Sequence, residues 1–133
     1  MNPQSSGSFG RPGNNESLVL RLTYGDISFL LTADIEAESE GLLASRGTGI
    51  QSTVLKVAHH GSKTSSIAGF INEVGPAAAL ISVGEGNPYG HPNEEVLGRL
   101  QAHTGGENLY RTDLDGDVEF VTDGAELWVT TER

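Results

Sequence analysis

The segment LKVAHHGSKTSS, residues 55–66, carries a short apolar run followed at once by two adjacent histidines. The apolar residues Val54 to Ala58 predict a strand, and the sequence His59-His60-Gly61-Ser62 predicts its exit loop. Histidine is the side chain best suited to bind a divalent metal or to transfer a proton near neutral pH. Because open α/β sheets place their functional sites just beyond strand ends, this loop is the first candidate for such a site.

The composition of the 133-residue chain limits what it can do. The length suits one domain, and a hydrophobic content of 36% suits a globular core. A net charge of −10 argues against a broad basic surface for nucleic acid, although it leaves room for a metal that contacts a phosphate locally. The absence of cysteine excludes disulfides, a thiolate zinc site and a thiol nucleophile. No apolar run approaches the roughly 20 residues of a membrane span.

The distribution of apolar and turn residues predicts a flexible tail followed by one α/β domain. Residues 1–16 are rich in Ser, Gly, Asn and Pro and are expected to form the tail, whereas residues 17–133 form the domain. Strand and helix patterns alternate along the domain, which is typical of a layered α/β fold. The first predicted elements are a hairpin turning at 24–26, a helix over 35–46 ended by Gly47 and Gly49, and a strand over 54–58. A helix with its apolar stripe at 67–74 and an N-cap at Ser62, Thr64 or Ser65 follows, and then a strand over 77–83. The last elements are a helix capped by Asn93 and strands over 108–111, 117–122 and 126–130.

Asp34 ends the apolar strand that precedes the first helix. A carboxylate at a strand end can bind one metal ion or bridge two. The alternative is a helix N-cap, since an acidic helix starts at once, and spacing alone favours the cap. The histidine pair has a similar alternative, because two adjacent histidines beside a turn are more often simple surface or half-buried residues. Both rings can serve one site only if the loop bends after the strand, and Gly61 allows that bend.

Two further residues are candidates for the same site. His91 lies in the sequence NPYGHPN, where Gly90 and Pro92 fix the backbone as a site loop requires. Taken alone, His91 is more simply a loop histidine that precedes a helix. Asp113, in RTDLDG, is most simply a turn residue, and the spacing of a calcium loop is absent there.

Taken together, several stretches resemble one family. They run in order from about Asn15 to about Gly124 and include SLVLRL-YG-ISFLLTAD, LKVAHHGSKTSS, ISVGEGNPYGHPNEEVLGRL and LYRTDLDGDVEF. They are similar to the C-terminal half of the metallo-β-lactamase-like domain found in the ComEC family of DNA-uptake competence proteins. The ordered succession of the HHGS, YGHP and RTD-x-DG blocks makes the resemblance specific.

The resemblance implies a half or truncated form of the αββα sandwich of metallo-β-lactamases. It also implies a site for two metal ions, zinc or manganese, that hydrolyses phosphodiester bonds in DNA. By that resemblance Asp34 is a metal ligand that bridges the two ions, with Ala33 replacing the usual glycine. His60 is favoured as the other metal ligand and His59 as its neighbour, either supporting the ligands from behind or on the phosphate, with the assignment between them open. His91 would lie on the substrate side, and His91 or His59 would protonate the leaving oxygen or hold a phosphate oxygen.

One departure from the family changes the expected activity. The family's His-x-His-x-Asp-His block, which supplies most of the metal ligands, is absent from this chain. We therefore expect the isolated chain to be a fragment or a divergent half-domain that is inactive by itself, with apolar sheet surface that a missing N-terminal half-domain or a homodimer partner would cover. The alternatives are a non-catalytic remnant that binds a partner, or a hydrolase of another ester such as a phosphocholine or a lactone.

Overall fold

The computed structural model describes residues 16–46 and 49–133. Apart from Glu16, the predicted tail lies outside these residues, as does Gly47. The elements are the strands β1 (Leu20–Tyr24), β2 (Ile27–Leu31), β3 (Val54–Lys56), β4 (Ala78–Ile81), β5 (Leu109–Arg111), β6 (Val118–Thr122) and β7 (Leu127–Thr131), and the helices α1 (Ala37–Arg46), α2 (Ala68–Val74), α3 (Glu94–Thr104) and the single turn α4 (Thr112–Asp115). In the described part of the chain, no helix has the length and apolar character that a bilayer crossing requires.

Five strands form one sheet in the order β1-β2-β3-β4-β5. The predicted hairpin is confirmed: β1 pairs antiparallel with β2, with Tyr24 opposite Ile27 and Gly25 in the left-handed region at φ 59°. Strands β2 to β5 are parallel. Each crossover moves one strand further in the same direction, and right-handed crossovers of that kind put all their helices on one face. The predicted α/β fold is confirmed.

The core lies between the sheet and helices α1, α2 and α3. Alternate strand residues such as Leu30, Leu55 and Ile81 point towards the helices, and the apolar stripes of the helices pack against them. The stripe predicted for α2 is present, since Phe70, Ile71 and Val74 are all buried. Burial of each such side chain contributes about 1.5–3 kcal/mol. The sheet is therefore held from one side, with its strand ends free to carry a site.

The opposite face of the sheet is only partly covered. Strands β6 and β7 form a separate two-stranded sheet, and Phe120 of β6 packs edge-on against Phe29 and Tyr110 with ring centroids 6.0 and 5.8 Å away. Beyond this contact, Leu20 and Leu22 of the edge strand β1 project from the same face as Phe29 and remain exposed. This face provides the uncovered apolar surface that a half sandwich would have.

The N-terminus of α3 agrees with the sequence prediction, whereas that of α2 differs from it. Asn93 caps α3 as predicted, since its side chain accepts a hydrogen bond from the Glu95 amide. The N-cap of α2, however, is Ile67, which has no side chain that can cap. The prediction of Ser62, Thr64 or Ser65 at this position is therefore wrong, and the buried carboxylate of Glu40 accepts the Ser66 and Ile67 amides at 2.7 and 2.9 Å instead.

Candidate functional site

Loops that follow neighbouring parallel strands meet at the carboxyl edge of the sheet. Asp34 follows β2 and the histidine pair follows β3, and these two strands are hydrogen-bonded neighbours. The two loops are tied together because the His59 amide donates to the Ala33 carbonyl at 2.9 Å. Helix α1 begins at Ala37, three residues after Asp34, so Asp34 is not its N-cap and that alternative is wrong. Its carboxylate is half exposed at the sheet edge.

The two histidines adopt the left-handed backbone conformation. Their φ angles are 54° for His59 and 57° for His60, and Gly61 continues at 79°. The bend that the sequence assigned to Gly61 therefore starts two residues earlier. Left-handed residues other than glycine cost about 1–3 kcal/mol each and cluster at functional sites. In an extended strand, adjacent side chains point to opposite faces. The left-handed bend removes this alternation and places both histidine rings at the same edge of the sheet, with ring centroids 6.4 Å apart.

A hydrogen bond to a backbone carbonyl fixes the orientation of the His60 ring. Its Nδ1 lies 2.7 Å from the Ser82 carbonyl, which can only accept, so Nδ1 carries the proton. The Nε2 lone pair then faces Asp34 Oδ1 at 3.9 Å. That separation is too long for a hydrogen bond, and it is somewhat longer than the roughly 3.3 Å between two ligand atoms of a tetrahedral zinc ion, so the two side chains would have to approach slightly to share one ion. A backbone carbonyl behind the ring is the usual support of a metal-binding histidine.

The ring of His59 is held by a different pair of groups. The Thr64 hydroxyl donates to Glu36 Oε2 at 3.0 Å, so its oxygen is free to accept from His59 Nδ1 at 3.2 Å. The same Nδ1 lies 3.4 Å from Glu36 Oε2. These contacts occupy Nδ1 and leave Nε2 for a substrate or ligand. Glu36 and Thr64 were not identified from the sequence, because only the folded loop brings them to the ring.

His91 completes the row of rings at this edge of the sheet. Its ring centroid is 5.9 Å from that of His59 and 5.9 Å from that of Tyr89, which stacks on it at 27°. Burial, followed by the neighbouring His59 and His60, lowers the pKa of His91, so its imidazole is neutral at pH 7. Asn87 holds the loop, since its Oδ1 accepts the Tyr89 and His91 amides and its Nδ2 donates to the His91 carbonyl.

Two further ionisable residues, Lys56 and Asp113, lie near strand ends and differ in whether they are available to the site. Lys56 ends β3 within electrostatic reach of Asp34, and burial lowers the pKa of Lys56 while the Asp34 charge opposes that shift. A lysine in an otherwise apolar strand was the signal for it in the sequence. Asp113 is instead engaged by Arg111, whose Nε and Nη2 donate to its two oxygens at 3.0 and 2.6 Å. Asp113 is thus paired with a neighbouring cation and is not free for the site.

The donors present fit part of a metal site. Asp34 and His60 offer two ligands of the right type, 3.9 Å apart. Within residues 16–46 and 49–133, however, no group of three or more His, Asp or Glu residues could hold a metal ion. Structural and catalytic zinc sites use three or four protein ligands. The described residues therefore supply at most two of the ligands that such a site needs, and a metal ion bound here would require further ligands from elsewhere.

Comparison with known proteins shows relatives along most of the chain. It is 42% identical over 107 residues, 80% of its length, to ComE operon protein 3 of Bacillus subtilis. It is 43% identical over 108 residues to Competence protein ComA of Neisseria gonorrhoeae, and 41% identical over 93 residues to Recombination protein 2 of Haemophilus influenzae. The chain spans only 14%, 15% and 12% of these three relatives. No family model and no solved structure matches the chain.

Proposed function

We propose, from the relationship of this chain to a segment of competence-related proteins, that it is one half of a metal-dependent phosphodiesterase domain that acts on DNA during uptake. The observation that supports this most is the pairing of Asp34 with His60 across the ends of β2 and β3. The lone pair of His60 Nε2 and the carboxylate face each other, an arrangement that a shared cation stabilises.

Each residue of the site has a role in this proposal. Asp34 and His60 hold zinc or manganese, which when bound acidifies a water and neutralises charge on the phosphate. His59, with Nδ1 fixed by Thr64, presents Nε2 to a phosphate oxygen or a proton. His91 is neutral at pH 7, so it donates a hydrogen bond to the phosphate and does not contribute a positive charge. These roles position substrate, while hydrolysis itself requires the ligands that this chain lacks.

A half-domain that covers the exposed apolar face would also supply the missing metal ligands. Leu18, Leu20 and Leu22 are about half exposed or more, at 62%, 47% and 57%. A complementary half-domain that covers this face would form the second sheet of the αββα sandwich. Since the relatives are several times longer than the chain, the occupant we propose is the part of such a protein that precedes the matched segment.

Metal titration tests the proposed ligands. We expect the chain to bind zinc weakly in isothermal titration calorimetry, because it contributes only two ligands. Asp34→Asn and His60→Gln should each weaken binding by about tenfold or more, the loss typical even for residues that only support a ligand. His103→Gln is the matched control, since His103 contacts Asn72 on α2 and not the site.

The same titration separates the catalytic proposal from a partner-binding module without catalysis. The exposed leucines favour that second function, because it needs the apolar face and no metal. Equal zinc affinity in the chain and in both variants would reject the metal site and leave the binding module. If the ligands are confirmed, a chain extended with the preceding segment of a relative should cleave a phosphodiester in the presence of metal, and Asp34→Asn should abolish that cleavage.

A further inference from the structure

We propose that Tyr89, together with His91, forms a stacking platform that binds an unpaired base of single-stranded DNA beside the Asp34–His60 pair. The inference rests on the proposed function for the identity of the substrate. It adds that the strand is recognised through the faces of its bases and in single-stranded form. No contact assigned above gives Tyr89 a structural role.

The exposure of Tyr89 is the first observation. Its side chain is 77% exposed, the highest of the exposed large hydrophobic side chains in the described part of the chain. Of the other two tyrosines, Tyr110 packs on Phe120, and Tyr24 is less exposed, at 60%. An exposed tyrosine ring offers an apolar face and a polar hydroxyl, the combination that is enriched at binding surfaces.

The rigidity of the loop is the second observation. Asn87 Oδ1 accepts the amides of Tyr89 and His91 at 3.1 and 3.2 Å, which fixes the backbone on both sides of the tyrosine. The Asn93 amide donates to Gly61 at 2.9 Å and joins this loop to the histidine loop. A ring that is held in place before binding loses little conformational entropy when a ligand stacks on it.

The row of rings is the third observation. Tyr89 stacks on His91 at 5.9 Å, and His91 lies 5.9 Å from His59, whose neighbour His60 faces Asp34. The platform thus leads directly to the pair proposed to hold the metal. Stacking is independent of base identity, because every base has a π face. A base on Tyr89 would place the adjoining phosphate towards the histidines.

The net charge of −10 explains why stacking is needed. An acidic protein gains little from phosphate neutralisation, so a platform for bases has to supply most of the affinity for a strand. A duplex hides its base faces and offers only phosphates to this surface. The platform therefore selects unpaired DNA, and binding should depend only weakly on salt.

Fluorescence anisotropy with a labelled ten-nucleotide thymidine strand tests the platform, with EDTA present so that metal plays no part. Tyr89→Ala should weaken binding by about 5- to 100-fold, whereas Tyr89→Phe retains it because the ring remains. Tyr24→Ala is the control at another exposed tyrosine. The slope of log affinity against log salt should be shallow and unchanged in Tyr89→Ala, since the lost contact is uncharged.

An oligonucleotide with the same backbone but without bases gives the decisive comparison. It should bind the chain as weakly as Tyr89→Ala binds thymidine, and Tyr89→Ala should not weaken it further. Equal affinity of the chain for the two strands, equal losses in Tyr89→Ala for both, or no binding to either would overturn the proposal. Zinc binding by Asp34 and His60 is measured separately, so the platform can fail while the metal site stands, and the reverse.

Discussion

Gly61→Ala is expected to destabilise the protein by about 2–6 kcal/mol. Gly61 has φ 79°, a region that costs a residue with a Cβ about 1–3 kcal/mol. A Cβ built there would lie 2.6 Å from Pro92 Cβ and 3.0 Å from Pro92 Cα, so the loop that carries His91 has to move. Overpacking of this kind adds about 1–3 kcal/mol. Urea unfolding measures the sum.

The matched control for this substitution is Gly98→Ala in α3. A Cβ at Gly98 would meet nothing within 4 Å, and its φ is not positive. Alanine favours a helix over glycine by up to about 1 kcal/mol, so Gly98→Ala should stabilise the protein slightly. A Gly61→Ala variant as stable as wild type would show that the histidine loop and the His91 loop are not in contact. Displacement of His91 should also weaken binding of single-stranded DNA in the anisotropy assay.

Glu40→Ala should cost about 2–5 kcal/mol in the free energy of unfolding. Glu40 is fully buried, and its two oxygens accept the amides of Ser66 and Ile67. Removing the carboxylate leaves one buried and one partly buried donor without a partner, the first worth about 1–3 kcal/mol and the second somewhat less. Glu38→Ala, an exposed change in the same helix, should alter stability by no more than about 0.5 kcal/mol. Equal stability of the two variants would contradict the cap.

The same residue predicts a pH dependence of stability. Burial raises the pKa of Glu40 to about 7 from an unperturbed 4.5, against the opposing effects of the Ile67 and Ser66 amides and of Arg99. Because the pKa in the folded state exceeds that in the unfolded state, the native protein binds more protons between these values. The contribution is present below about pH 4.5 and is lost as pH rises through about 7. The advantage of wild type over Glu40→Gln should therefore fall by up to about 3 kcal/mol between pH 4.5 and pH 8, measured by urea unfolding.

The secondary structure and fold class could be predicted from local patterns. The alternation around Gly25 gave the hairpin, and the stripe from Ile67 to Val74 gave a helix. The side-chain cap at Asn93 was also correct. Each of these features depends on a residue's own backbone preference and on the spacing of its near neighbours. The position of Asp34 and the histidine pair at strand ends followed in the same way.

Contacts between distant loops could not be predicted in this way. The cap of α2 was assigned to nearby serines and threonine, whereas the carboxylate that performs it comes from α1, 26 residues before Ser66. The same holds for Pro92 against Gly61, 31 residues earlier in the chain. In each case the choice among several adequate partners depended on how whole elements pack.

The sequence by itself determined which segments are strands and helices, that they alternate in a layered α/β fold, and which residues stand at strand ends. Only the tertiary structure decided that His59 and His60 turn left-handed, that His60 faces Asp34 at 3.9 Å, and that Tyr89 and His91 continue the row of rings. The reason is physical. Periodicity encodes a residue's local conformation and burial, while distances between loops depend on the order of the strands, the handedness of the crossovers and the packing of side chains between them.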